Sequence, residues 1–522
     1  MMAEYVLVNR RAGKFSDEAK ISSRASVASA MAMVMPSSVV RDHAPEDKLA
    51  RRVVILDLDE AAATDLRSQL SSSDAILEPL IRRKLHHRRP AELQAAMPFQ
   101  ARADVNGSKY QVKIVGGGNP LSDIEVMFYI ADPSGSISTV IQRTDKNGDV
   151  SAGLAPGQRV AFVEPIPYSG FWIMLSEAPA AGALIDCTPI SDAPKDGIGW
   201  WHVVTNTGDR QAGAGIKVGV IDTGCGPHRN LAHVTLAGVF TGGQILPAAG
   251  ATDVAEHGTH TTGLIGARPT RPGDYSGMAP ETTLFHARVF ASEEQGPSQA
   301  DLINAIDSLS RDHQCDLINM SLGGGPPSPA EQDCIRDALE RGTLCICSAG
   351  NDAGPVNYPA AYPECVSVSA LGQVGWAPAG TFSAGNRPRE AGKLGKFNLF
   401  LASFSSNGQG LDAAGPGVGI VSTVPEHDGN SGPYMEMDGT SMASPAVCGT
   451  LTAILSKDPH YVTYNRDISR ANAARQLLEA HCMSLGLSRS FQGLGLPIAG
   501  QLDAQLLGDN SPRQKTKRKT SG

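Results

Sequence analysis

Three short segments carry the side chains needed to make a reactive alcohol. In Lys217–Gly224 (KVGVIDTG) an apolar run reads as a buried strand that delivers Asp222 at its carboxyl end, and Gly224 permits a tight exit. Glu256–Gly263 (EHGTHTTG) reads as a helix headed by His257, with Gly258 and Gly263 small enough for close packing. Asp438–Val447 (DGTSMASPAV) leads into the apolar run Cys448–Leu455, which places the Ser441 hydroxyl at a helix N-terminus. Orphan backbone N–H groups and the positive end of the helix dipole favour a developing anion there. Pro445 is expected in the first turn, where its missing N–H costs little. A serine hydroxyl is a weak nucleophile until a base removes its proton. His257 is such a base, and Asp222 would fix its tautomer and stabilise the imidazolium.

Two of the segments, taken alone, admit another chemistry. Asp222-Thr223-Gly224 also fits half of a paired-carboxylate site, which needs a second Asp-Thr/Ser-Gly to share a proton, and no second copy lies on a matching strand. His257 and His260, at i and i+3, suggest a metal pair; a zinc site wants a further ligand at recognisable spacing, so no metal is expected and His260 reads as a packed helix residue. The turn Asp145–Asp149 (DKNGD) starts like a calcium loop but lacks the downstream bidentate Glu, and reads as a polar hairpin turn. Cys225, three residues past Asp222, reads as inert packing ahead of a redox-sensitive thiol.

Positioning these residues requires a sheet covered on both faces. Apolar strands are expected at Ile216–Ile221, Thr283–Val289, Asp316–Met320, Leu344–Ser348 and Val366–Ala370. They alternate with helices at His257–Gly266, Gln299–Asp312, Pro329–Arg341, Ser441–Ser456 and Ser469–Cys482. This is the pattern of a parallel α/β sheet, whose ligands gather at the carboxyl ends of the strands. Upstream, Tyr110, Val112 and Ile114, then Val126, Phe128 and Ile130, alternate with polar residues, and further short strands are expected near Val140, Val160 and Trp172–Met174. Their spacing predicts a small β-sandwich. Arg52–Leu58 reads as a strand, Glu60–Leu70 as a helix and Ala75–Ile81 as a strand, ending in a basic, exposed linker at Arg82–Arg89 (RRKLHHRR). The expected units are a weakly patterned segment at 1–50, a β-α-β unit at 51–95, the sandwich at 105–185, the α/β domain at 196–507 and a basic tail at 508–522.

Composition excludes several classes. The 522 residues carry a net charge of −8, which disfavours a dedicated nucleic-acid binder; the basic run Arg513–Lys519 reads as a solvated tail. No apolar run reaches the ~18 residues of a membrane span. The nine cysteines include no Cys-x-x-Cys pair and fall mostly in apolar stretches, as buried thiols do in a reducing compartment. The N-terminal region lacks a secretory signal pattern, so the cytoplasm is expected, with secretion by a non-Sec route as the alternative.

Together the three segments resemble the active-site blocks of subtilisin-like serine proteases (subtilases), in that family's chain order Asp, His, Ser. The resemblance implies a three-layer subtilisin-like fold with a mostly parallel central sheet, and triad roles for Asp222, His257 and Ser441. Leu317–Gly324 (LINMSLGG) resembles the family's substrate-binding strand, which implies that Ser321, Leu322 and Gly323 pair with an extended peptide. Cys347–Asp352 (CSAGND) resembles its oxyanion segment: Asn351 becomes a side-chain donor beside Ser441, with Ser348, Ala349 and Gly350 lining the substrate. Asn357–Tyr362 (NYPAAY) and Phe404–Pro416 (FSSNGQGLDAAGP) extend the likeness, which runs from about Ile198 to about Leu507. Asn230 stands where many secreted members carry an acidic calcium ligand, and the loop Ala267–Gly277 offers few oxygens, so no calcium site is expected.

The resemblance implies a serine endopeptidase without cofactor, acting on protein or peptide bound as an added strand, with no nucleic-acid or membrane partner. A catalytically silent peptide-binding or scaffold protein is the alternative from another class. The front half resembles a pro-region in pattern only. It is expected either to inhibit the cleft and be cut away by the enzyme itself, or to stay attached as a recognition module. Asp352 and Asn357, by the match, lie near the pocket for the residue before the cut, and Glu293 and Glu294 flank the cleft; negative potential there would favour basic side chains.

Overall fold

The computed structural model describes residues 2–10, 17–47, 50–71, 73–86, 109–190, 196–292, 295–426 and 432–501. Glu293, Glu294, the end of the basic run at 87–89 and the tail Arg513–Lys519 lie outside them.

The core of the molecule is a nine-stranded sheet. Thr235–Thr241, Thr283–Arg288, Lys217–Asp222, Leu317–Met320, Leu344–Ser348, Val366–Gln373 and Ala413–Pro416 run parallel in that order. Two antiparallel strands, Gln244–Leu246 and Leu399–Leu401, complete it. Because side chains alternate along a strand, each strand feeds two cores. Ile221, Ile318, Met320, Cys345 and Cys347 pack on the helices Gln299–Asp307 and Pro329–Glu340. Val218, Val220, Leu317, Leu344 and Ile346 pack on the opposite face with Ile265 of the helix His257–Gly266 and with Ala443, Val447 and Leu451 of the helix Thr440–Lys457. This is the α/β fold, with a mixed, mostly parallel sheet, that the apolar strands implied.

The N-terminal part departs from expectation. Met2–Asn9 is one of two inner strands of a four-stranded antiparallel sheet, flanked by Val53–Asp59 and Ala75–Pro79, with Val39–His43 at the edge beyond Val53–Asp59. The boundary expected after residue 50 therefore cuts through one sheet. The reason is the run Tyr5–Val8, four buried apolar residues too short to show periodicity on their own. The helices Asp17–Met31 and Glu60–Leu70 cover one face, through Val27, Ala30, Ala63 and Leu66, and Asp59 caps the second helix by accepting from Ala62 N at 2.8 Å. The other face presents Val6, Val8, Val53 and Ile55 to the core of the large domain. Arg51, 2% exposed, fixes that contact by pairing with Asp337 and, at 3.4 Å, with Asp307.

Residues 109–190 hold two four-stranded sheets that share one core. Tyr110, Val112 and Ile114 face Val126, Phe128 and Ile130, with Tyr110 edge-on to Phe128 at 6.3 Å. Asp145 closes the DKNGD turn by accepting from the backbone N of Asn147 and of Asp149. The strand expected at Trp172–Met174 is instead a docking segment: Trp172 packs into the large domain's core and Met174 forms a single bridge to Thr381.

Among the described residues no helix is long and apolar enough to cross a membrane. All nine cysteines are free thiols, eight of them buried.

Candidate active site

Asp222 leaves the sheet at the carboxyl end of its strand, and the chain turns away at once. A Cβ on Gly224 would lie 2.3 Å from Thr252 O, so only glycine fits. His257 opens its helix 35 residues later and points its ring back at Asp222, with Nδ1 at 2.7 Å from Oδ1. The same carboxylate oxygen accepts from Thr223 N at 2.7 Å, and Oδ2 accepts from Thr261 Oγ1 at 3.0 Å. Burial alone would raise the Asp222 pKa; the adjacent imidazole and these hydrogen bonds outweigh it and hold the carboxyl below its usual range. A charged Asp222 makes Nδ1 the protonated nitrogen of His257 and leaves Nε2 as the basic one. His286, which the sequence did not single out, backs the pair. Its Nε2 accepts from Gly224 N at 3.1 Å, so it is neutral, and burial pushes its pKa down to about 4.

Ser441 is the second residue of its helix, fully buried. Pro445 lies in the second turn, not the first as expected, and so cannot donate to the carbonyl of Ser441. That carbonyl accepts from Ser321 Oγ at 2.8 Å instead, which ties the helix start to the residue that follows the strand Leu317–Met320. Ser441 Oγ in turn donates to Ser321 O at 2.9 Å. Asn351 is locked by its amide oxygen, which accepts from Thr440 N at 3.0 Å and Thr440 Oγ1 at 2.8 Å, leaving Nδ2 aimed at the cleft.

The cleft is filled by the chain's own residues 81–86, part of the run expected to be an exposed linker. Lys84–Leu85 pairs antiparallel with Leu322–Gly323, and His86 N donates to Ser321 O at 3.4 Å. On the other side Arg83 N donates to Pro297 O at 2.9 Å. His86 O accepts from both Ser441 N, at 3.0 Å, and Asn351 Nδ2, at 2.5 Å. Within the basic run Arg83 and His86 are buried while Arg82 and Lys84 stay exposed: Arg83 meets Glu331, and Lys84 Nζ lies 3.2 Å from Asp352.

The His86 ring rests on Ser348, with Nδ1 at 2.8 Å from its Oγ and 3.2 Å from its O, and lies 3.4 Å from Asn357 Nδ2. Burial pushes its pKa down to about 3, so the ring is neutral. Asn357 Nδ2 also bonds Asp352 at 3.2 Å, so these two residues share one side of the pocket. Ala349 and Gly350 act as frame: Ala349 N donates to Val368 O and Gly350 N to Thr440 Oγ1, while a Cβ on Gly350 would lie 2.3 Å from Asn357 Nδ2.

The remaining candidates fall into the packing. His260 Nε2 lies 3.0 Å from Ile420 O and 3.1 Å from Met435 O, both acceptors, so this nitrogen carries a proton rather than a lone pair for a metal. Cys225 sits among Leu231 and Ala267, and burial pushes its thiol well up, away from a reactive thiolate. Asn230 bonds Tyr434 and Thr270, and Asp274 of the neighbouring loop pairs with Arg229 at 2.7 Å.

The family model described as "Subtilase family" matches residues 213–495. The chain is 31% identical over 291 residues to the major intracellular serine protease of Bacillus subtilis (strain 168), covering 54% of this chain and 81% of that one. It is 30% identical over 292 residues to the intracellular serine protease of Paenibacillus polymyxa, covering 54% and 79%. It is also 30% identical over 277 residues to subtilisin Savinase of Lederbergia lenta, covering 53% and 89%.

Proposed function

The chain belongs to the subtilase family and is a subtilisin-like serine protease, a hydrolase; from that premise we propose an endopeptidase that works through Asp222, His257 and Ser441 and cuts its own chain after His86. One oxygen carries the proposal. His86 O sits between two N–H donors, Ser441 N and Asn351 Nδ2, where a scissile carbonyl would develop negative charge.

In the proposed reaction Ser441 Oγ gives up its bond to Ser321 O, hands its proton to His257 Nε2 and attacks the His86 carbonyl carbon. Asp222 offsets the charge gained by the imidazole. Collapse of the tetrahedral intermediate breaks the His86–His87 C–N bond, and His257 returns the proton to the leaving amine. Water, deprotonated by His257, then releases the His86 carboxylate from the Ser441 ester. Substrates in trans bind the same way, as a strand beside Leu322–Gly323.

In this reading residues 2–86 form the inhibitory pro-region, its antiparallel sheet docked on the helices Gln299–Asp307 and Pro329–Glu340 and its end threaded through the cleft. The sandwich-like unit at 109–190 stays with the enzyme after the cut, held by Ile173, whose N donates to Glu436 at 3.1 Å, and by Phe382 N, which donates to Ile173 O at 2.9 Å. A place of work inside the cell is supported by the names of two relatives and by nine unpaired thiols.

Intact-mass measurement of the purified chain and of Ser441→Ala tests the proposal. The expected result is a break after His86 in the first and an unbroken 522-residue chain in the second. An uncut wild-type chain overturns self-cleavage, and a cut in both assigns it to another protease.

A further inference from the structure

Arg83, three residues before His86, is held in a way its neighbours are not. Arg83 and Glu331 both have side chains that are 0% exposed. Arg83 Nε donates to Glu331 Oε1 at 3.3 Å, Nη2 donates to Oε2, and Nη1 donates to Pro326 O at 2.9 Å and to Gly324 O. The guanidinium thus meets a bidentate carboxylate and two carbonyls, the set an arginine fork fits and a lysine does not. The pocket is also shaped for this chain path: a Cβ on Gly296 would lie 1.8 Å from Arg83 O. Arg82 and Lys84, on either side, keep side chains 44% and 61% exposed and make ion pairs at 3.7 and 3.2 Å.

Glu331 is built for the task. It sits in the first turn of the helix Pro329–Glu340, where its backbone N bonds Ser328 Oγ at 3.1 Å. A carboxylate at this position ordinarily reaches back to the backbone N of the capping serine. Here Ser328 N is taken by Tyr362 Oη at 2.7 Å, and the same Tyr362 Oη lies 3.1 Å from Glu331 Oε2. Tyr362 therefore frees the carboxylate to face the cleft and helps hold it there. With the segment gone, Glu331 has lost its cation, and an apolar side chain entering the pocket would bury that carboxylate unpaired.

We propose that Glu331, with the carbonyls of Gly324 and Pro326, is a specificity site for arginine, so that the enzyme selects substrates reading Arg-x-x-His before the cut. The inference rests on residues 81–86 lying in the cleft as a substrate does. It centres the basic preference on Glu331, since the ring beside Asn357 is a neutral histidine and Lys84, the cation on Asp352, keeps its side chain 61% exposed.

The test uses the purified full chain and a peptide with the sequence of residues 79–90, PLIRRKLHHRRP, in parent form and with Arg83→Ala, Arg83→citrulline or Arg82→Ala. Expected is a cut after His86, with kcat/KM lowered about 10²–10³-fold by either change at Arg83 and changed less than about fivefold by Arg82→Ala. In the Glu331→Gln enzyme the ratio of parent to Ala-peptide turnover should fall at least about tenfold. Taking that ratio within one preparation cancels any loss of folded enzyme, and the citrulline peptide tests the charge with no change to the protein. Equal turnover of the parent and Arg83→Ala peptides overturns the specificity site while leaving cleavage at His86 standing. Absence of any cut after His86 in the parent peptide overturns the cleft reading and the inference together.

Discussion

Replacing Asn351 by leucine removes one of two donors on the His86 carbonyl while keeping the side chain's volume. In the ground state the lost bond is one to a neutral carbonyl, worth about 0.5–1.5 kcal/mol. At about 1.4 kcal/mol per decade, KM should change by no more than about tenfold. In the transition state the same oxygen carries developing charge, and Nδ2 already lies 2.5 Å from it, held in place by Thr440. Such a donor is worth about 2.7–4 kcal/mol, so kcat should fall about 10²–10³-fold. Ser441 N, 3.0 Å from the oxygen, remains and sets the residual rate. Thr440→Val is the graded control: it keeps the donor and loosens its anchor, with an expected loss of about tenfold, the worth of about one hydrogen bond. The assay is initial-rate cleavage of the peptide of residues 79–90, with thermal unfolding to verify folding. A kcat within threefold of wild type alongside a raised KM would instead show that Asn351 only binds the ground state and does not stabilise the developing oxyanion.

Three further outcomes follow from particular contacts. Arg51→Ala strands the buried Asp337 carboxylate, while Asp307 keeps Arg341 at 2.9 Å; it should destabilise docking of the N-terminal sheet by roughly 3–5 kcal/mol, read as a lower urea midpoint and faster limited proteolysis. Arg52→Ala, in a partly solvated pair with Asp42, should cost no more than about 1 kcal/mol, and equal effects would refute the contrast. Burial first, and the nearby Asp438 second, push the Glu436 carboxyl well up, so its contribution to stability is full at acid pH and is lost as pH rises through the raised value. Glu436→Gln should therefore flatten the decline of Tm towards alkaline pH; an unchanged decline would refute it. His86 is bound neutral, with its pKa pushed down to about 3, so a protonated peptide binds less well. From pH 7 to pH 5.5 the KM of the parent peptide should rise about eightfold relative to one with His86→Gln, as linkage from an ordinary value of about 6.5 requires. A constant ratio would show the ring to be charged in the cleft.

Much of the architecture was legible where a chain segment satisfies itself locally. The helices Glu60–Leu70 and His257–Gly266 begin and end where their patterns do, and the strand Leu344–Ser348, apolar up to its final serine, is buried throughout because both faces are covered. What escaped depends on distant partners. Met2–Asn9 is unremarkable until Val53–Asp59 and Ala75–Pro79 flank it. RRKLHHRR reads as solvated by its charge, yet Arg83 is buried because Glu331, 248 residues on, waits for it. Glu331 itself was hidden by a local signal: Ser328-Pro329-Ala330-Glu331 has the pattern of a helix capping box, which gives the glutamate an ordinary task. Pro445 was placed a turn early, and the carbonyl it leaves open at Ser441 finds its partner in Ser321, out of reach of any local rule. Asp222, His257, Ser441 and Asn351 were picked out by motif, and the structure gathers them around two contacts: the imidazole on Asp222 and the paired donors on His86 O.

In the proposed reaction the Ser441 hydroxyl becomes nucleophilic through His257. Labelling of the purified chain with a fluorophosphonate, followed by peptide mass spectrometry, tests it most directly. The expected result is one adduct on Ser441, absent in Ser441→Ala and reduced by orders of magnitude in His257→Ala. An adduct on another residue, or labelling of Ser441 at an unchanged rate without His257, would contradict it.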